Sequence, residues 1–261
     1  MKIKFDTKGC ECTLRDGFSE ADTLYVNHCH PLYEIITVVC GKIAINIENK
    51  RYNVSAGEMV LIRPAEYHSI TSLDRAEYRR FTLLFDASRI PAEIRSDVIA
   101  KISQSPVCRH EQMSSFLSRL ESAMCRDDAS TFAPLVEAMI TELFYIAYEA
   151  DTLVHDCQDD MVMQTVIEYI GTHLTEKITL EDVAAHALIS KSALCHLFKS
   201  RMNISMKQYI LQKKIAYAAE LIKNGRSASA ASQAVGYENY AGFYKMYKKF
   251  LLEPPMESKR Q

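Results

Sequence analysis

The chain has 261 residues, long enough for two domains of ordinary size, and a formal net charge of −2. No apolar run approaches about eighteen residues, and Met1-Lys2-Ile3-Lys4-Phe5-Asp6 lacks the apolar core of a secretory signal, so neither a membrane helix nor a signal peptide is expected. The charge is unevenly spread: 14 Lys/Arg stand against 8 Asp/Glu from Met161 onward, and 17 against 25 before it. A basic tail half on an acidic front half fits a polyanion reader joined to a separate sensing module. The eight cysteines are scattered without a paired CxxC framework. Free thiols in a reducing cytosol are the simplest reading, with Cys10-Glu11-Cys12 the one spacing a redox pair could use.

Residues from about 20 to 90 read as strands. Ile43, Ile45 and Ile47 alternate with Ala44, Asn46 and Glu48, the period of a half-buried strand. Glu48-Asn49-Lys50-Arg51 predicts a hairpin turn, and Tyr52-Asn53-Val54 resumes the alternation. Gly57 breaks the chain before Met59-Val60-Leu61-Ile62, which Arg63-Pro64 stops, and Phe81–Phe85 is another strand. Short strands at regular spacing predict a barrel or sandwich.

From about Ala92 the period becomes helical. Phe116, Leu117 and Leu120 fall on one face, as do Leu135, Val136, Met139, Ile140, Leu143 and Phe144. The stretch from Ala133 to Tyr148 is apolar round most of its circumference, which predicts packing against the barrel and against a second subunit. The polar stretch that follows, ending His155-Asp156-Cys157-Gln158-Asp159-Asp160, reads as a linker. A helix then starts near Met161 and is expected to close at Gly171; a long middle helix spans about Tyr209 to Ile222 and stops at Asn224-Gly225.

On either side of that middle helix the same layout appears twice: short helix, turn, second helix. Leu194, Leu197 and Phe198 recur as Phe243, Met246 and Tyr247 at a shared offset of 49, an i, i+3, i+4 core stripe with exposed side chains between its members. Two such units suggest a reader of duplex DNA; a helical protein-interaction domain is the alternative that pattern alone leaves open.

The C-terminal hundred residues resemble the DNA-binding domain of the AraC/XylS family of bacterial transcription regulators. The resemblance rests on Ile178-Thr179-Leu180-Glu181-Asp182-Val183-Ala184, Ser190, Leu197-Phe198-Lys199, Tyr209, Gly236-Tyr237, Phe243 and Tyr247-Lys248-Lys249. It implies two helix-turn-helix units, held by a linking helix, entering successive major grooves. Ala231-Ser232 stands where the family has Ile-Ala, and Leu252 where it has glycine, which weakens the packing signal of the second unit. The exposed face of the first reader carries Ser192, Ala193, Cys195 and His196, with Lys191 and Lys199 as phosphate partners. The second carries Tyr240, Ala241, Gly242, Tyr244 and Lys245, flanked by Lys248 and Lys249. His196 and Lys245 can donate to a guanine edge, and Ala193 suits a thymine methyl.

Nearer the start, His28-Cys29-His30-Pro31-Leu32-Tyr33-Glu34, Gly41, Gly57 and His68 resemble the two motifs of the cupin barrel, with Ala65 in place of the second-motif glycine. His28, His30 and Glu34 share strand parity, and His68 comes from a separate strand end. This set makes either an effector-pocket wall or a site for a divalent metal. The expected architecture is multidomain α+β. It comprises a cupin-like effector barrel (1–95), a helical dimerisation segment (96–150), a linker (151–160) and an all-α DNA-binding domain (161–261). The expected function is an effector-controlled transcription regulator, an activator rather than an enzyme, in the bacterial cytoplasm. Its partners would be double-stranded promoter DNA, a small-molecule effector, a second copy of the chain and, for an activator, RNA polymerase. A metal-dependent cupin oxygenase or isomerase, and a regulator that senses the metal itself, are the competing readings.

Overall fold

The computed structural model describes residues 2–7, 10–19, 27–73, 76–124, 129–153, 160–251 and 254–255. By its contacts the chain divides into two compact units, the first made of Met1–His28, Leu32–Ile47 and Arg51–Cys157, the second of Gln158–Gln261 with Cys29–Pro31 and Glu48–Lys50.

The first unit carries strands β1 (Lys2–Thr7), β2 (Cys10–Ser19), β3 (Tyr33–Cys40), β4 (Lys42–Ile47), β5 (Lys50–Ser55), β6 (Glu58–Ile62), β7 (His68–Ser72), β8 (Ala76–Phe85), β9 (Val107–Arg109) and β10 (Asp151–Thr152). Its helices are α1 (Arg95–Gln104), α2 (Met113–Met124) and α3 (Ala129–Glu149). The strands form a seven-stranded sheet in the order β1-β2-β8-β3-β6-β9-β10 and a three-stranded sheet in the order β5-β4-β7. Among the described residues these two sheets do not close into one continuous barrel; they share a core of Ile36, Val38, Ile43, Ile45, Ile47, Val60, Ile62 and Ile70. The other face of the large sheet is covered by the helices, where Ile35, Met59, Leu61, Phe81 and Phe85 meet Val98, Phe116, Leu120, Met139 and Phe144. Strands β3 and β6 are therefore buried on both faces, which is why their apolar runs are continuous rather than alternating. Gly41 turns β3 into β4 at φ +88°, and a Cβ there would lie 3.0 Å from the Glu77 carbonyl oxygen, so only glycine fits.

Three expectations need correction. The strands begin at residue 2, not near 20. Residues 96–150 are not a separate helical segment, because β9 joins the large sheet and α1, α2 and α3 share one core with it. Asp151 and Thr152, expected in the linker, pair with Arg109 and Cys108; residues 154–159 lie outside the described ones. Helix α3 buries Val136, Met139, Ile140, Leu143 and Phe144 against this core and leaves Leu135, Tyr145 and Tyr148 exposed.

The second unit is helical: α4 (Met161–Thr172), α5 (Leu180–His186), α6 (Lys191–Met202), α7 (Met206–Lys223), α8 (Ala228–Ala234) and α9 (Tyr240–Leu251). Side-chain caps start most of them. Asp160 caps α4, Thr179 and Asp182 form a capping box on α5, and Ser190, Ser205 and Ser227 cap α6, α7 and α8. Gly171 does not close α4; the helix runs to Thr172 and His173 is its C-cap. Helix α7 does stop at Asn224, with Gly225 following at φ +90°. Near its start α7 packs Tyr209 edge-on to Phe198 of α6, ring centroids 5.1 Å apart. Farther along, Ile215, Ala218 and Ile222 make a core with Ala231, Val235, Phe243 and Tyr247. The Ala231-Ser232 departure is absorbed there. Ala231 is fully buried, and the buried Ser232 hydroxyl donates to the Ser229 carbonyl at 2.8 Å. Leu252 lies outside the described residues.

Candidate nucleic-acid interface and a polar cluster in the first unit

The two helix pairs are built alike. After α5 the amides of Leu188 and Ile189 donate back to the Ala185 and Ala184 carbonyls; after α8 those of Gly236 and Tyr237 donate to Gln233 and Ser232. Both are Schellman turns, closed by a left-handed residue, Leu188 at φ +55° in the first and Gly236 at φ +80° in the second. Helices α6 and α9 then bury corresponding residues: Leu194 and Phe198 in one, Phe243 and Tyr247 in the other, with Leu197 and Met246 half-buried.

What remains outward is the set expected to meet DNA. Lys191, Ser192, Ala193, His196 and Lys199 are exposed on α6, and Tyr240, Ala241, Gly242, Tyr244, Lys245, Lys248 and Lys249 on α9. Cys195 is half-buried, lining a hollow of about 380 Å³ with Leu180, His196, Lys199, Met206 and Lys207. Tyr240 and Tyr244 stand 42% and 40% exposed, large for aromatic rings with no partner surface to cover them. Lys191 is ion-paired with Glu181 at 2.6 Å, and the hydrogen bond it donates to this carboxylate pushes the lysine's pKa up. Sequence reasoning listed Lys191 as a phosphate partner but missed Glu181 as its competitor; the ten-residue separation across the turn carries no helical-spacing signal.

In the first unit, His28 and His68 pair through an isolated antiparallel bridge, with ring centroids 4.4 Å apart. His30, expected to join them, groups with the second unit. His68 is buried; its Nδ1 lies 2.9 Å from the Glu66 carbonyl, and its Nε2 lies 2.9 Å from Glu34 Oε2. Burial alone would lower the His68 pKa, but the Glu34 carboxylate outweighs it and the net direction is upward. Within the first unit the structure thus brings His28 and His68 together and joins Glu34 to His68. A backbone carbonyl on Nδ1 is the arrangement that aims Nε2 of a metal-ligating histidine, so the donor set fits a divalent metal. It fits a proton shared between Glu34 and His68 equally well. Glu66, missed in the sequence, holds the imidazole from the second side and is itself engaged by Arg63. Ala65, at the glycine position of the cupin motif, keeps the left-handed backbone at φ +61°.

A two-sheet β unit carrying a buried His68–Glu34 pair, and a helical unit with twin helix-turn-helix faces, define a DNA-binding regulator with a ligand-binding domain. Residues 17–144 match the AraC-like ligand binding domain, and residues 183–261 match a helix-turn-helix domain. The chain belongs to the AraC family of transcription regulators. It is 23% identical over 246 residues to the uncharacterized HTH-type transcriptional regulator YdiP of Escherichia coli (87% of this chain, 78% of that one). It is 25% identical over 220 residues to the similarly described YbfI of Bacillus subtilis (80% and 78%). It is also 30% identical over 119 residues to the lactose operon transcription activator of Staphylococcus xylosus (44% and 43%). The family and these relatives are transcription regulators, not enzymes.

Proposed function

We propose that the chain presents α6 and α9 to successive major grooves of a promoter and that a small molecule bound in the first unit changes this presentation. The observation that carries the reading is the matched burial of α6 and α9, which turns Ser192, Ala193, Cys195 and His196 of one helix and Tyr240, Ala241, Gly242, Tyr244 and Lys245 of the other away from their cores. Lys199, Lys248 and Lys249, with Lys191 once released from Glu181, supply the phosphate contacts. The sign we assign is activation, supported by the activator named among its relatives, and RNA polymerase is the further partner that sign requires. The exposed stripe Leu135, Tyr145 and Tyr148 on α3 is the surface assigned to a second copy. The cytoplasm is the compartment assigned to it, in keeping with its free, buried Cys10, Cys12 and Cys108.

Selection of duplexes by the full-length chain from a randomised pool tests the core of this reading. Two half-elements about one helical turn apart are expected; a single undivided element, or no enrichment, would refute it. For effector control, the ligand must bind two arrangements with different affinity, so a footprint and transcript level indifferent to every candidate effector would count against it.

A second reading, favoured by the approach of His28, His68 and Glu34 within the first unit, makes the effector a divalent metal held by these side chains. The metal's chemistry there would be its charge, drawing these side chains together. Metal analysis of purified chain decides it: stoichiometric metal lost in His28→Ala supports the reading, and metal-free protein with full effector response removes it.

A further inference from the structure

Helix α7 is the element on which both helix-turn-helix units sit, Tyr209 against the first and Ile215, Ala218 and Ile222 within the core of the second. Lys214 lies between these two seats. Its Nζ donates to the Glu176 carbonyl at 2.6 Å, in the stretch leading into α5, and to the Val235 carbonyl at 2.9 Å. Val235 is the C-cap of α8, where carbonyls run out of helical donors and a cation is favoured. One ammonium therefore ties the entry of the first unit to the turn of the second. The side chain is half-buried, and loss of solvent pushes its pKa down. At Gly236 an added Cβ would stand 3.6 Å from Nζ, so the turn is closed around the lysine head.

We propose that Lys214 sets the separation and twist between the two DNA readers, as a positioning residue rather than a DNA contact. This rests on the two-groove reading above. Each apolar seat on α7 holds its own unit, but dispersion contacts are non-directional. Two charge-assisted hydrogen bonds to fixed carbonyls restrict rotation of one unit against the other in a way those contacts do not. The consequence for DNA is a demand on spacing, since one added base pair turns a half-element by about 35° and shifts it about 3.4 Å.

The test uses the full-length chain and the duplexes it selects from a randomised pool, remade with one or two base pairs inserted or removed between half-elements. Wild type is expected to lose about tenfold or more in affinity per altered base pair, whereas Lys214→Met loses less than about threefold and Lys214→Arg keeps the wild-type penalty. Binding to a duplex carrying one half-element should be the same for all three, which a general loss of folding would not allow. A Met variant with the wild-type spacing penalty overturns the proposal, as does one that loses half-element binding as well. A wild-type chain indifferent to every spacing would instead sink the two-groove reading and this proposal with it. Loss of the penalty in Lys214→Met alone, against a spacing-sensitive wild type, sustains both.

Discussion

Four side chains among the described residues sit on backbone that favours glycine, Glu48, Ala65, Leu188 and Asn203, and the two apolar ones, Ala65 and Leu188, make no side-chain hydrogen bond that replacement would cost. Ala65 holds φ +61° and Leu188 holds φ +55°, the latter with 91% of its surface exposed. The left-handed conformation costs an L-residue roughly 1–2 kcal/mol, while glycine brings back roughly 0.5–1 kcal/mol of chain entropy cost. Ala65→Gly and Leu188→Gly should each stabilise their own unit by about 0.5–1 kcal/mol, read as raised midpoints of thermal unfolding; a lowered midpoint in either would show that its side chain holds something in place. The thiols give a second expectation at this scale. Burial pushes Cys108 up to about 11 and Cys12 higher still, and it raises Cys10 despite the Arg89 guanidinium beside it. The thiolate is the reactive form, so these three should be nearly inert to iodoacetamide in the folded chain, and the half-buried Cys195 should be labelled well ahead of them. Peptide mapping by mass spectrometry checks the order. Labelling of Cys10 and Cys12 as fast as that of Cys195 would reopen the redox-pair reading.

At the scale of elements, periodicity was a good guide wherever one face met water. The Ile43-Ile45-Ile47 alternation became β4, and the offset stripe of α6 and α9 located both core and reading faces. It failed where burial did not follow hydropathy. Strand β2 turns Cys10, Cys12 and Leu14 inward between Glu11, Thr13 and Arg15, an alternation visible only if cysteine is counted as a small hydrophobe. Strand β7, His68-Ser69-Ile70-Thr71-Ser72, is buried along its whole length, and polar residues inside a fold leave no periodic trace. The polar cluster was half legible: strand parity was no guide, since residues 29–32 are not strand, and the approach of His28 to His68 depends on pairing between distant segments, whereas the Glu66 carbonyl reaches His68 from only two residues away. On the reading helices, His196→Ala and Lys245→Ala should each weaken specific binding by about 1–3 kcal/mol. Titrations against the selected site and a scrambled duplex measure this, and unchanged affinity for the selected site would unseat the assignment.

At the scale of the whole chain, charge decides how binding responds to salt. The excess of Lys/Arg lies from Met161 onward, so the total of −2 hides a local positive field. Each phosphate neutralised releases counterions worth a slope of about −0.9 in log K against log salt. Lys199, Lys248 and Lys249 are exposed, while Lys191 is held by Glu181 at 2.6 Å. Replacing both Lys248 and Lys249 with Gln should therefore flatten the slope by about 2, nearly equally on specific and non-specific duplexes. Glu181→Gln works in the opposite sense. It removes a negative charge beside the reading face and frees Lys191, so the slope should steepen by up to about 1 and affinity at low salt should rise. Lys245→Ala should instead lose discrimination between sites, since a base-edge donor contributes to specificity more than to counterion release. A Glu181→Gln chain with the wild-type slope would mean that Lys191 never leaves its carboxylate when DNA is bound, and the phosphate contact would then have to come from the remaining cations of α6.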